Sequence, residues 1–304
     1  MRARARPGAA GAYSAAMRVV SLLPSATEII AGLGLQGALV GRSHECDTPP
    51  GVRDLPVVSS SRIDPAGMAG ADIDRAVRDA LAAGESLYAV DAGLLERLRP
   101  DVIVTQDLCR VCAVGGDEVR APQARVISLD PRDIAGIAGS VRLLGDVLGA
   151  PRAAERVAGE MLARVDAVRR AVAGRRRRRV FVAEWHDPPF AAGHWVPEQV
   201  AAAGGEDPLG RPGEPSRPTT WERVAAADPE LVIVAPCGYD VAGGRREWER
   251  ACAAGRVPAR LAARAVVVDA NARFSRPSPA VAAGAEELAR ILHGVRAAGA
   301  TATA

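Results

Sequence analysis

The sequence contains no lysine; all 39 basic side chains are arginine, set against 36 acidic ones. With the surplus of alanine this reads as coding bias before chemistry, and a net charge of +3 is too small to argue for a nucleic-acid partner. Aromatic residues make up only 3 %, yet 48 % of the chain is hydrophobic, which is enough for packed cores and excludes wholesale disorder. No apolar run approaches the roughly 18 residues that cross a bilayer. The 31 glycines and 22 prolines keep no fixed period, which excludes a collagen-like repeat. Five cysteines, an odd number in a chain this long, do not make a disulfide framework. No Walker loop, GxGxxG, HExxH or GxSxG motif occurs.

Residues 1–16 carry three arginines followed by small residues. They lack the apolar core of about 7–15 residues that a secretory leader needs, and no cysteine follows to carry a lipid. Met17, directly before the first strand-like run, is a candidate start. The expectation is a cytoplasmic protein with unstructured tails at 1–16 and 297–304; a different start would be needed for a periplasmic or extracellular one.

What is present reads as alternating strands and helices. Val19–Leu23, Val102–Val104, Val126–Leu129, Val180–Ala183, Leu231–Val234 and Val266–Val268 are short β-branched runs of the kind found in sheets covered on both faces. Ser25 and Glu28 fit a capping box at the start of a helix, and Thr219 to Glu222 fit another. Apolar spacing of three and four predicts a helix from Ile134 to Leu148, ended by Gly149. A second follows from Pro151 to Val172, about 33 Å long at 1.5 Å per residue. The arginines 175–179 follow it and read as an exposed helix exit. The last helix runs from about Ala280 to His293.

The halves echo each other. A helix leads to Pro100-Asp101-Val102-Ile103-Val104 in the first, and another leads to Pro229-Glu230-Leu231-Val232-Ile233-Val234 in the second. The expected fold is α/β: two Rossmann-like lobes with parallel sheets, joined by a long interdomain helix. The boundaries are an N-terminal lobe at 17–132, a helical connection at 133–174 and a C-terminal lobe at 175–296. Ligands of open parallel sheets bind beyond the carboxyl ends of the strands, so the cleft between the lobes is the natural site.

The strand-end segments hold the chemistry. They include Ser43-His44-Glu45-Cys46-Asp47, Gln106-Asp107-Leu108-Cys109 with Cys112, Glu184-Trp185-His186-Asp187-Pro188-Pro189-Phe190, Gly193-His194-Trp195, Cys237-Gly238-Tyr239, and Asn271 to Pro277. Five of the ten aromatics fall here: Trp185, Phe190, Trp195, Tyr239 and Phe274. A chain this poor in aromatics would ordinarily spend them in its cores.

These blocks, with Ser21-Leu22-Leu23-Pro24-Ser25-Ala26-Thr27-Glu28, resemble the cobalamin-binding branch of the iron-siderophore and vitamin B12 periplasmic-binding-protein superfamily over about residues 18–295. The resemblance implies two lobes joined by a long helix, with a corrinoid or siderophore held between them. It also implies an ABC transporter permease as partner. The absence of a leader departs from secreted members and points to cytoplasmic capture or handling rather than import.

A corrinoid suits the residues available. Its apolar faces suit aromatic rings, its amide rim suits Asn, Gln, Asp and backbone groups, and its phosphate suits an arginine or a helix N-terminus. Its cobalt accepts an imidazole nitrogen. The candidate ligand-binding residues are Pro24, Ser25, His44, Glu45, Asp47, Gln106, Asp107, Glu184, Trp185, Asp187, His194, Trp195, Tyr239, Asn271, Phe274 and Arg276. The reading is a non-catalytic, monomeric binding protein for a corrinoid, with no nucleic-acid partner. The alternative is a metal-dependent enzyme in which His44, Cys46, Cys109 and Cys112 hold zinc or iron. Loop aromatics outnumber any ordered catalytic set, which favours binding.

Overall fold

A computed structural model describes residues 17–295, except 66, 109–113, 116–118 and 120. The first lobe contains β1 (Val19–Ser21), α1 (Pro24–Gly32), β2 (Leu39–Arg42), β3 (Ser59–Ser61), α2 (Gly70–Ala82), β4 (Tyr88–Val90), α3 (Ala92–Leu98), β5 (Val102–Thr105) and β6 (Arg125–Ser128). The connection is α4 (Ile134–Val147) and α5 (Pro151–Ala171). The second lobe begins with β7 (Arg178–His186), β8 (Pro189–Ala191), α6 (Val196–Ala202), β9 (Gly205–Glu206), β10 (Arg217–Pro218) and α7 (Trp221–Ala226). It ends with β11 (Leu231–Val234), α8 (Val241–Ala253), α9 (Ala259–Ala262), β12 (Ala265–Val267), α10 (Ala270–Arg273) and α11 (Val281–His293).

The two-lobe α/β expectation holds. The first sheet runs β2-β1-β5-β6 and is parallel throughout. The second runs β10-β8-β7-β11-β12, with β9 also on β7. Here β7, β11 and β12 are parallel, but β8 and β10 are antiparallel, so the second sheet is mixed rather than wholly parallel. The echo is real in space: β1-β5-β6 in one lobe corresponds to β7-β11-β12 in the other. The helices before the equivalent central strands are capped alike. Asp91 accepts from the Leu94 amide (2.8 Å) and Thr220 from the Arg223 amide (3.3 Å).

Two capping expectations are corrected. Pro24 occupies the first turn of α1, and the N-cap position falls on Leu23, which makes no side-chain cap. Ser25 therefore lies inside the helix, and Glu28 points elsewhere. In the second lobe the cap is Thr220 rather than Thr219, one residue later than the capping-box reading placed it.

The helical connection follows the apolar spacing. Asp133 caps α4 by accepting from the Gly136 amide (2.6 Å), and Pro151 opens α5. A Cβ at Gly145 would overlap that of Ala154, so the two helices approach with almost nothing between them. The helix α4 packs on α1 of the first lobe, and α5 on α6 and α11 of the second. The arginine run is absorbed by its own lobe. Arg176 and Arg178 pair with Glu230, Arg177 donates to the Gly205 carbonyl, and Arg179 pairs with Asp228. No described helix is long and apolar enough to cross a membrane.

Candidate functional site

The carboxyl ends of β1, β2 and β5 in one lobe and of β7 and β11 in the other turn toward the cleft. On the first lobe, the chain after β2 makes a tight loop in which neighbouring side chains separate. The Cys46 thiol is buried and meets the Thr27 hydroxyl (3.0 Å) and the Ser43 hydroxyl (3.2 Å). The His44 ring lies beside Ser59 and Tyr88: its Nδ1 is 3.0 Å from Ser59 Oγ, and the rings of His44 and Tyr88 are 5.7 Å apart. Its Nε2 is buried without a hydrogen bond, 3.5 Å from a carboxylate oxygen of Glu45. Leu22, Pro24, Ser43, Glu45, Ser59, Tyr88 and Val114 wall the small pocket around it.

The second lobe presents aromatic rings. The strand β7 continues through Glu184, Trp185 and His186, which the sequence reading placed in a loop, and doubles back as β8. Glu184 accepts from the Gly193 amide (2.9 Å) and Trp185 Nε1 donates to the Asp187 carbonyl (3.2 Å), so both brace this hairpin. The Asp187 carboxylate pairs with Arg256 (3.1 Å). Trp185 stacks on His186 (5.7 Å) and tilts toward Tyr239 (5.9 Å); His186 in turn meets Trp248 edge-on. Burial pulls the His186 pKa down to about 4, against the charge of Asp187 and a backbone hydrogen bond with Glu247.

Among the described residues, side chains of the two lobes meet across the cleft at two sets of contacts. A Cβ at Gly70, where α2 begins, would lie 3.5 Å from His186 Nε2 and 3.7 Å from the Trp185 ring, and Arg250 donates to the Met68 carbonyl (3.4 Å). The other contact is ionic. Arg276 Nη1 donates to Glu28 (3.0 Å) and Asp47 (2.6 Å), its Nη2 to the Glu45 carbonyl (3.4 Å), and Ser278 Oγ to Glu28 (2.5 Å). Burial pushes the Glu28 carboxyl up, against Ser278 and Arg276, while at half-exposed Asp47 the bond and charge of Arg276 outweigh burial and hold it down. Beside this knot is an open recess of about 270 Å³, to which Glu28, Asp47 and Thr48 contribute from one lobe and Asp240, Asp269, Asn271 and Arg276 from the other.

The structure thus gathers Asp47, Asn271 and Arg276 in one recess, Pro24, His44 and Glu45 in one pocket, and Trp185 with Tyr239 in one wall. Other candidates serve the fold. Trp195 is 5 % exposed, donates to the Phe274 carbonyl (2.9 Å) and packs with the buried Phe274 ring in the core. The expectation that these two rings face a ligand is corrected: the tight backbone approach at Gly193, where a Cβ would overlap residues 214–216, turns Trp195 inward. His194 stacks on Trp195, and burial and the charge of Arg132 lower its pKa. Ser25 is buried with a hydroxyl that has no hydrogen-bond partner. Gln106 is buried at the end of β5, and the Asp107 amide donates to Asp130 (2.6 Å).

The four-ligand metal set is not assembled among the described residues. Cys109 and Cys112 lie outside them, His44 and Cys46 face different neighbours, and no described group of three His, Cys, Asp or Glu is placed to hold an ion. Glu28, Tyr88, Ser59, Asp240 and Asp269 were not singled out as site residues. Tyr88, as one of only ten aromatics, carried a signal; Glu28 was hidden by its fit to a capping box.

The family model described as periplasmic binding protein matches residues 19–257. No curated protein matches the chain. Among solved structures, the periplasmic vitamin B12 binding protein BtuF of Vibrio cholerae is 20 % identical with a TM-score of 0.64, over 90 % of this chain and 96 % of its own. A periplasmic heme binding protein from Pseudomonas aeruginosa is 20 % identical with a TM-score of 0.67, over 92 % of this chain and 94 % of its own. The periplasmic heme-binding protein RhuT from Roseiflexus sp. RS-1 is 20 % identical with a TM-score of 0.66, over 90 % and 96 %. At these identities the likeness is one of fold.

Proposed function

The chain belongs to the periplasmic binding protein family, and from that premise we propose that it binds a corrinoid between its lobes without transforming it. The observation that carries the reading is the wall of Trp185, on β7, and Tyr239, in the loop after β11, braced from behind by His186 and Trp248. A rigid, half-exposed aromatic surface at the mouth of a two-lobe cleft suits the apolar face of a broad disc. The polar recess around Asn271, Asp47 and Arg276 suits its amide rim and phosphate. A corrinoid is much larger than the recess of about 270 Å³, so entry requires the lobes to part and the Arg276 contacts to Glu28 and Asp47 to break.

Calorimetry of the full chain with cyanocobalamin, followed in parallel by tryptophan fluorescence, tests the reading. Binding at micromolar or tighter affinity with quenching is expected; no heat and no quenching with any corrinoid rejects it. We place the binding step in the cytoplasm, as capture or handling, a reading that the free thiols of Cys46 and Cys252 support. Fractionation of cells decides this, since recovery of an exported form would instead favour delivery to an ABC transporter permease.

A further inference from the structure

We infer that the recess beside Arg276 receives an uncharged amide arm of the bound corrinoid and rejects a carboxylate in its place. This rests on the binding reading above and adds to it the chemistry by which the ligand is chosen; it assigns the recess to the amide rim and leaves the phosphate outside. The recess of about 270 Å³ is open and has room for one such arm, though not for the macrocycle. Its lining carries four carboxylates, Glu28 and Asp47 from the first lobe and Asp240 and Asp269 from the second, against one guanidinium, that of Arg276. Burial pushes the Glu28 carboxyl up, yet with Glu28 counted as neutral the carboxylates still outnumber the cation. The imbalance survives opening. Arg276 leaves with the second lobe, where Asp240 and Asp269 outnumber it, and the first lobe keeps no cation in the lining. A carboxylate brought here adds negative charge to a negative site, which works against its binding.

The hydrogen-bonding groups point the same way. The Arg276 side chain is 7 % exposed, and its Nε is buried without a hydrogen-bond partner, a state that an oxygen acceptor relieves. The partners it does hold, the Glu28 and Asp47 carboxylates and the Glu45 carbonyl, all sit on the first lobe and withdraw when the lobes part. Asp240 and Asp269 each use Oδ1 to accept from a helix amide, that of Gly243 (2.7 Å) and that of Ala272 (2.8 Å). Their Oδ2 atoms take no hydrogen bond among the described residues. The recess therefore offers donors and acceptors side by side. A primary amide matches both, since its oxygen accepts from Arg276 while its NH₂ donates to a carboxylate; an ionised carboxylate brings acceptors alone.

The test is a tryptophan-quenching titration of the full chain at neutral pH with dicyanocobinamide and, separately, dicyanocobyrinic acid. The two share the corrin, the cobalt and both axial cyanides; the arms are amides in one and carboxylates in the other. Wild type should bind the amide form about 100-fold more tightly or better. The chain's net charge of +3 would by itself favour the acid, so this preference belongs to the recess. Asp240→Asn combined with Asp269→Asn removes two charges and keeps both helix caps, because asparagine caps as well as aspartate. The ratio of affinities should then fall about 10-fold or more, with each single variant giving part of the fall. Glu160→Gln combined with Asp166→Asn removes the same charge from exposed positions on α5 and should leave the ratio where it was. Equal affinities in wild type, a preference for the acid, a ratio unmoved by the recess variants or one moved as far by the α5 pair overturns the inference and leaves the binding reading standing. Failure of both corrins to quench wild type overturns both.

Discussion

The two lobes build one strand-and-helix plan and finish it in different materials. In the first, β1 stops after three residues and turns at once into α1, so its rim is mostly small or polar side chains, Ser43, Glu45, Ser59 and one imidazole, with Tyr88 beside them. In the second, the equivalent strand β7 runs nine residues and returns as an antiparallel edge, so its rim is a braced row of rings. The frame of such a fold is therefore separable from its surface. The parallel core repeats, while the continuation of one strand through Glu184, Trp185 and His186 gives its rim the rings.

Mutations can break or sharpen that contrast. The largest effect should come from Trp195, only ten residues from Trp185 but in the core. Trp195→Ala is expected to cost about 3–5 kcal/mol in chemical denaturation. Folding at near wild-type stability combined with lost binding would extend the ligand wall to Trp195 and erase the distinction. Arg276, the link between the two rims, comes next. Its side chain is 7 % exposed, and Arg276→Gln strands the buried Glu28, at about 3 kcal/mol of stability. An unchanged melting temperature would show that the lobes do not depend on this link.

A pH effect should belong to the aromatic rim. The pKa of His186 falls from 6.5 unfolded to about 4 folded, so between those values the unfolded chain takes up a proton that the folded chain refuses. Its contribution is intact above pH 6.5 and lost progressively as pH falls toward 4, about 3 kcal/mol at 1.36 kcal/mol per pH unit. In His186→Gln the acid limb of the stability profile should flatten; an unaltered limb refutes the assignment. Trp185→Ala should cost less stability than Trp195→Ala and weaken corrinoid binding by about 1–3 kcal/mol, read by calorimetry. The smallest effects test the shared plan. Asp91→Ala and Thr220→Ala remove equivalent caps and should each cost about 1 kcal/mol. A clear inequality between them would mean that the lobes load these helices differently.

Much of the frame was readable from local pattern. The β-branched runs of β1, β5, β6, β11 and β12 and the three-four spacing of α4 and α5 carry their own structure, because burial on two faces or one face imposes a period. The rims were not readable in the same way. Glu184-Trp185-His186 lacks β-branched residues, and only pairing with β8 makes it strand. Glu28 matches a cap at three-residue range but finds its partner 248 residues away, a distance at which sequence carries no period. Trp185 and Trp195 are the same residue in the same kind of neighbourhood, and only tertiary packing turned one outward and the other inward.

The crossing of α4 and α5 at Gly145 has a mechanical meaning. A joint with no side chain between its two members behaves as a weld: twisting one helix against the other would drive Ala154 into backbone. Since α4 is seated on the first lobe and α5 on the second, that weld sets the axis about which the lobes rock and denies them a loose swing. Motion is left to small sliding of packed surfaces. What holds the cleft shut is then left to the contacts across the rims, of which the Arg276 guanidinium makes the ionic ones.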